Sequence, residues 1–143
     1  MEKLKNFWQN KKVFITGHTG FKGTWLCIIL NHLSAKISGY SLKPINNSLF
    51  TKSKIEKKIF SNNYSDIKNI SKLKKELKRF KPEIIFHLAA QPLVLESYKD
   101  PINTFETNIY GTLNLLESIR KIKSIKSVVI VTTDKVYKIN KKK

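Results

Sequence analysis

Val13-Phe14-Ile15-Thr16-Gly17-His18-Thr19-Gly20-Phe21-Lys22-Gly23 is an apolar, β-branched run that stops in three glycines spaced three apart. Trp25, Leu26, Ile29, Leu30 and Leu33 follow at helical spacing, on one face of the helix they predict. Strand, tight turn and helix N-terminus therefore come in that order. A helix N-terminus leaves its first backbone N–H groups without intrahelical partners, and its dipole adds to their pull on an anion. In such a turn one glycine permits the bend, one leaves room for a pyrophosphate against the backbone, and one lets helix and strand pack closely. Three glycines alone carry little; the strand–turn–helix setting gives them weight.

Outward from this stretch the chain alternates. The first strand covers about 12–16 and the second about 36–42, followed by Pro44 and a polar loop at 45–48. Residues 49–60 predict a lysine-rich helix, and 62–66 hold the end of a short third strand. Ile70, Leu73, Leu77 and Phe80 make an amphipathic helix that stops at Pro82. Ile84 to Leu88 is a continuous apolar run, as in a strand buried on both faces of a parallel sheet. Asp100-Pro101 starts a helix, Asp as cap and Pro in first position. It is expected to reach about Lys121 with Phe105, Ile109, Leu113, Leu116 and Ile119 turned inward. Ser127 to Thr132 is a fifth strand. Strands alternating with helices predict an α/β fold with right-handed crossovers: a doubly wound parallel-sheet Rossmann arrangement of about five strands, one domain over residues 1–143. The distinctive residues fall at the carboxyl ends of the strands, where such sheets take ligands. They are Gly17 to Gly23, Asp66, Ala89-Ala90-Gln91 and Thr132-Thr133-Asp134-Lys135.

The formal charge of +18 raises the alternative of a basic nucleic-acid-binding module. Of the 28 basic residues only Arg79 and Arg120 are arginine, the residue whose planar fork reads phosphates and base edges. The lysines are spread along the chain, densest at 52–58, 68–81 and 141–143, and read as solvated faces. No nucleic-acid partner is expected. Cys27, the single cysteine, stands among Leu26, Ile28, Ile29 and Leu30 and reads as core. No apolar stretch approaches the roughly 20 residues of a membrane span, and no secretory pattern opens the chain. A cytoplasmic chain without a membrane partner or metal site is expected.

Three blocks carry a family resemblance: Gly17-His18-Thr19-Gly20-Phe21-Lys22-Gly23, His87-Leu88-Ala89-Ala90-Gln91-Pro92-Leu93-Val94 and Val131-Thr132-Thr133-Asp134-Lys135-Val136-Tyr137. Together they resemble the extended short-chain dehydrogenase/reductases, and within them the CDP-glucose 4,6-dehydratases. The resemblance implies an NAD cofactor, a nucleotide-sugar substrate and a homodimer. It implies oxidation at C4 of the glucose, loss of water across C5 and C6, and return of the hydride to C6. Gly17, Thr19, Gly20, Phe21 and Gly23 would then form the pyrophosphate loop, and Asp66 and Ile67 would meet the adenine. Leu88, Ala89 and Ala90 would lie under the nicotinamide side, and Asn108 matches a family asparagine in the following helix. Thr133 would hydrogen-bond the C4 oxygen, and Asp134 would protonate the departing C6 hydroxyl. Lys135 stands where related dehydratases place the glutamate that removes the C5 proton. An acid and a base fixed near adjacent carbons are what elimination needs. Other epimerases and reductases of the same family remain an alternative.

Two departures stand out. No Asp or Glu occurs between Glu2 and Glu56, so the acid that holds the ribose hydroxyls in the general fingerprint is missing, and Ser41 and Lys43 stand at the end of strand two. The family's catalytic Tyr-x-x-x-Lys lies on a helix well beyond the Thr-Asp-Lys block. Tyr137 and Lys141 show the spacing, but Tyr137 already matches the tyrosine of that block and the pair sits in a lysine-rich tail. The sequence is therefore expected to be truncated before the sixth strand and the substrate domain, and inactive alone.

Overall fold

The computed structural model describes residues 2–133. Five strands form one parallel sheet in the order β3-β2-β1-β4-β5. They are β1 (Lys12–Thr16), β2 (Lys36–Ser41), β3 (Ser61–Tyr64), β4 (Ile84–His87) and β5 (Ser127–Ile130). The chain winds outward from β1 to β3, then crosses back to β4 on the other side of β1. The switch point lies between β1 and β4, the ligand position of doubly wound sheets. Val13 pairs with Ile37 on one side and Ile84 on the other, so the glycines after Thr16 emerge at the centre of the sheet.

Alternation along β1 splits the core in two. Val13 and Ile15 join Cys27 and Leu30 of α2 (Phe21–His32), with Phe50, Ile55 and Ile59, on one face. Phe14 joins Tyr40 and Ile85 with Leu73, Leu77 and Phe80 of α4 (Ile70–Phe80) and Leu115 of α7 (Gly111–Ile119) on the other. Cys27 is fully buried, and burial pushes its thiol up to about 12, so it is a core residue and no nucleophile. At the amino ends of the strands Glu83 ties three elements together, accepting from Lys11 and Lys126 at 3.1 Å each and from the Lys12 amide at 3.4 Å. No described helix is long and apolar enough to cross a membrane.

Four expectations need correction. The helix expected over 49–60 is broken into α3 (Leu49–Ser53) and a 3-10 turn at Ile55–Lys57, with Lys54 left-handed at φ +54°. On one continuous helix Phe50 and Ile55 would point about 140° apart; the break lets both reach the same core. On α2 the apolar set divides: Leu30 and Leu33 are buried, whereas Trp25 and Ile29 are exposed on a flank that no described element covers. The helix after Asp100 is interrupted. It runs as α6 (Pro101–Phe105), a π turn at Glu106–Tyr110 and α7. Phe105, Ile109, Leu113 and Leu116 are exposed rather than inward, and Gly111, Leu115 and Ser118 face the core instead, with Ile119 half-buried beside them. Two helices were not anticipated: α1 (Glu2–Trp8), whose Trp8 packs on Phe86, and α5 (Val94–Lys99).

Candidate functional site

The glycine turn closes on the loop after β4. Gly17 has φ +73°, and a Cβ there would lie 2.7 Å from the Ala89 nitrogen and the Leu88 carbonyl carbon. A Cβ on Gly23 would fall 2.1 Å from the Gly17 oxygen, so the first turn of α2 rests directly on the loop. Gly20 differs. It caps α2 in an extended conformation with no side chain to take the free N–H groups, and the one atom near its Cβ position is the Gly17 oxygen at 3.3 Å. Phe21, next to it, is 70% exposed. An open floor of uncapped N–H groups at the start of a 12-residue helix suits the diphosphate of a dinucleotide, and any side chain at Gly20 would fill it. The residues present therefore fit the cofactor that the resemblance implies.

Beneath the loop lies His18, fully buried. Its Nε2–H donates to Asn62 Oδ1 at 3.1 Å, its ring stacks 6.2 Å from Tyr64, and Phe50 meets it edge-on at 5.3 Å. Gly39 of β2 is needed under that ring, since a Cβ there would come within 2.3 Å of it. Burial lowers the His18 pKa to about 4, which keeps the ring neutral.

A second buried network underlies the loop after β4. Thr16 Oγ1 accepts the Leu88 and Ala89 amides at 3.2 Å each. Its own proton then goes to His87 Nδ1 at 2.6 Å, so His87 Nε2 carries the ring proton and donates to Thr112 Oγ1 at 3.0 Å, while Thr112 donates to the Asn108 carbonyl at 2.7 Å. Burial holds His87 at about 4, neutral as this wiring requires. Asn108, in the π turn, grips Gln91 from both sides: its Oδ1 accepts the Gln91 amide at 2.8 Å and its Nδ2 donates to the Gln91 carbonyl at 3.1 Å. Asn108 thus shapes the loop that Leu88, Ala89 and the exposed Ala90 belong to. The sequence motifs give Thr16, His18, His87 and Thr112 no individual role in the site. The available signal was a lone histidine inside the apolar run Ile84 to Leu88, which in a doubly buried strand needs partners.

At the outer end of the site Asp66 and the buried Ile67 follow β3. Asp66 Oδ1 accepts the Lys68 amide at 2.8 Å, and the Lys68 ammonium lies 3.9 Å from its other oxygen and 3.0 Å from Glu106. Thr19 Oγ1 stands 2.8 Å from Ser41 Oγ, joining the glycine loop to the end of β2. Thr133 is exposed just past β5, on the same side of the sheet. Asp134, Lys135, Tyr137 and Lys141 lie outside the described residues. A separate cleft of about 430 Å³, lined by Lys12, Lys36, Phe60, Ser61, Arg79 and Phe80, opens at the opposite ends of the strands and takes no part in this site.

A glycine cradle at the switch point of a doubly wound parallel sheet defines a dinucleotide-binding Rossmann domain. Residues 14–140 match the family described as GDP-mannose 4,6 dehydratase, and the chain belongs to that family. CDP-glucose 4,6-dehydratase of Salmonella typhimurium is 48% identical over 134 residues, which are 93% of this chain and 37% of that protein. CDP-paratose 2-epimerase of Salmonella typhi is 33% identical over 139 residues, 88% of this chain and 38% of its own length. The chain thus spans less than two fifths of these relatives, and the likeness to the dehydratase bears out the resemblance read from the three motifs. Among solved structures, UDP-glucose-4-epimerase from Stenotrophomonas maltophila, with bound NAD and formylated UDP-arabinopyranose, shares the fold at TM-score 0.77 and 21% identity over 92% of this chain and 40% of that one. The UDP-glucose 4-epimerase of Thermus thermophilus, in complex with NAD, matches at TM-score 0.69 and 26% identity over 80% of this chain and 35% of that one.

Proposed function

We propose that this chain is the NAD-binding portion of a nucleotide-sugar 4,6-dehydratase that acts on CDP-glucose. The observation that carries the reading is the open, uncapped cradle at Gly20, set between the glycine loop and the Leu88–Ala90 segment. The likeness to the Salmonella typhimurium enzyme supports the choice of sugar nucleotide. NAD, when bound, supplies the hydride acceptor that such chemistry needs. The amides of Phe21, Lys22 and Gly23 hold the pyrophosphate, and Asp66 accepts from the adenine amine. The Leu88–Ala90 loop, braced by Asn108, shapes the nicotinamide side. Thr133 hydrogen-bonds the C4 oxygen of the sugar, Asp134 delivers the proton to the leaving C6 hydroxyl, and Lys135 stands beside C5. The homodimer of the family belongs to the same proposal.

These 143 residues by themselves are expected to bind NAD and to release no 4-keto-6-deoxy product, since the tyrosine that takes the C4 hydroxyl proton in the family has no counterpart among them. Calorimetric titration with NAD, beside an incubation with CDP-glucose and NAD, tests both parts. Gly20→Val places a branched side chain on the cradle floor and should abolish binding while the melting temperature stays close to the parent's. Equal binding by parent and variant would reduce the glycine loop to a turn. Turnover above a blank would remove the claim of inactivity.

A further inference from the structure

Lys12 opens β1 and Lys36 opens β2, at the ends of the strands opposite the glycine loop, and the two are register partners. Their side chains therefore leave the same face of the sheet, from backbones about 5 Å apart. Like charges directly opposite on neighbouring strands repel. Both residues are exposed, and neither ammonium has a hydrogen-bond or ion-pair partner among the described residues. The nearby carboxylates are already engaged, Glu83 by Lys11 and Lys126 and Glu76 by Arg79. Lys12 and Lys36 line the cleft of about 430 Å³ together with Arg79, Ser61, Phe60 and Phe80. Arg79 uses Nη2 both for Glu76 and for Asn63 Oδ1, the latter at 3.3 Å, so its Nε and Nη1 donors have no partner among the described residues. Phe60 is 67% exposed, yet its ring is fixed from behind: it lies 5.6 Å from the ring of buried Phe80, itself 6.5 Å from that of Phe14. The lining thus holds three cations, two aromatic rings and a hydroxyl, and no carboxylate. The C-terminal end of α4 contributes about half a negative charge of helix dipole, which the two unpaired ammoniums alone outweigh.

We propose that this cleft binds a mononucleotide, its phosphate held by Lys12, Lys36 and Arg79 and its base stacked on Phe60. The cations call for an anion, and the exposed ring calls for a flat partner. A volume of about 430 Å³ falls within the roughly 300–1,000 Å³ of small-ligand sites. A nucleic-acid strand needs a cationic groove that tracks its backbone, whereas this cleft is bounded by six residues. Stacking accepts the face of any base, so the site selects a nucleotide over bare phosphate rather than one base over another. A bound phosphate also relieves the repulsion between Lys12 and Lys36.

Titration of the whole chain with CMP, followed by amide chemical shifts at an ionic strength of about 0.15 M, tests this. CMP lacks the adenine read for the Asp66 loop. Shifts are expected at Lys12, Lys36, Phe60, Ser61 and Arg79, with Gly17 to Gly23 unmoved, and the response should be the same when NAD is present. Phe60→Ala should weaken CMP by about fivefold or more, the scale of one stacked base, and leave inorganic phosphate as it was. Lys36→Glu turns a repelling pair into an attracting one, so it should melt no lower than the parent and yet weaken CMP by about tenfold. Shifts confined to the glycine loop, or none at millimolar CMP, overturn the proposal, as does a Lys36→Glu variant that binds like the parent. Inorganic phosphate that binds as tightly as CMP leaves an anion site and overturns the nucleotide. Affinity for oligothymidylate that grows with length makes single-stranded DNA the occupant and overturns it too.

Discussion

His18 and His87 sit on either side of the cradle, and burial holds each pKa at about 4. In the unfolded chain both return to about 6.5. The folded values lie below the unfolded ones, so as pH falls the unfolded chain takes up protons first. The stability these two rings contribute is complete above about pH 6.5 and is lost progressively as pH falls to about 4. At about 1.4 kcal/mol per pKa unit, each costs on the order of 3 kcal/mol by the lower end, a large part of the roughly 5–15 kcal/mol that holds a domain together. The thermal midpoint should be level above about pH 7 and start down near pH 6, before ordinary carboxylates near pH 4 take part. Glu83, held below the usual carboxylate range chiefly by Lys126, adds its loss only at lower pH still. Replacing His87 with Asn should lower the midpoint overall and flatten its fall between about pH 6.5 and 5, because one of the two proton acceptors is gone. Melting curves across this range decide, and a midpoint that is flat from pH 7 to 5 would show that neither ring is a neutral, buried group.

The π turn at Glu106–Tyr110 is the element that shapes the site. A π turn shifts the helix register at one point and often marks a functional position. Here it presents Asn108 to the backbone of Gln91, with a hydrogen bond in each direction. Asn108→Ala removes both and leaves two half-buried backbone groups short of partners, at about 1–3 kcal/mol. The loss should be local. Amide exchange should speed up from Leu88 to Gln91 with little change in α4, and NAD affinity should fall by more than the midpoint suggests; unchanged exchange at Gln91 would mean that the loop holds itself. The sequence announces the elements whose local signals agree with their packing. β1 and β4 are apolar runs bounded by breakers, α4 has its stripe and Pro82, and Asp100 accepts the Asn103 amide at 3.0 Å as the cap it was read to be. The inward face of α7 is concealed because the residues that meet the core include Gly111 and Ser118. Their smallness permits contact, with Gly111 against Ile67, but gives no hydrophobic signal. The stripe at Phe105, Ile109, Leu113 and Leu116 is a true helical periodicity whose covering surface is not among the described residues. Thr16 and His87 are hidden for another reason. They lie 71 residues apart, and a periodicity read within one element carries no information on which buried polar groups will meet across the sheet.

At the scale of the whole molecule two surfaces compete. Phe21, Trp25 and Ile29 form an exposed apolar stripe on α2, a second runs along α6 and α7, and Val129 and Val131 are exposed at β5, which among the described residues pairs with β4 alone. Apolar faces and an unpaired strand edge favour association with a second copy. The net charge of +18 opposes it. The two forces differ in range. At an ionic strength of about 0.01 M the charge acts over roughly 30 Å, enough to hold copies apart; at about 0.15 M it fades within roughly 8 Å, while apolar contact is undiminished. Self-association should therefore rise with salt. NAD at about a hundred times its dissociation constant should stabilise the folded chain by about 2.7 kcal/mol and raise the midpoint. It should reduce association only so far as association starts from partly opened chains, because it covers neither stripe. Binding to a nucleic acid has the opposite signature, falling steeply as salt displaces the lysines from phosphates. Sedimentation velocity across a salt series, with and without NAD and with and without a random-sequence DNA duplex, separates the two. Growth in mass with salt, and loss of any DNA complex over the same series, is the expected outcome. A chain that stays monomeric at every salt concentration would mean that the exposed stripes are too dispersed to drive contact.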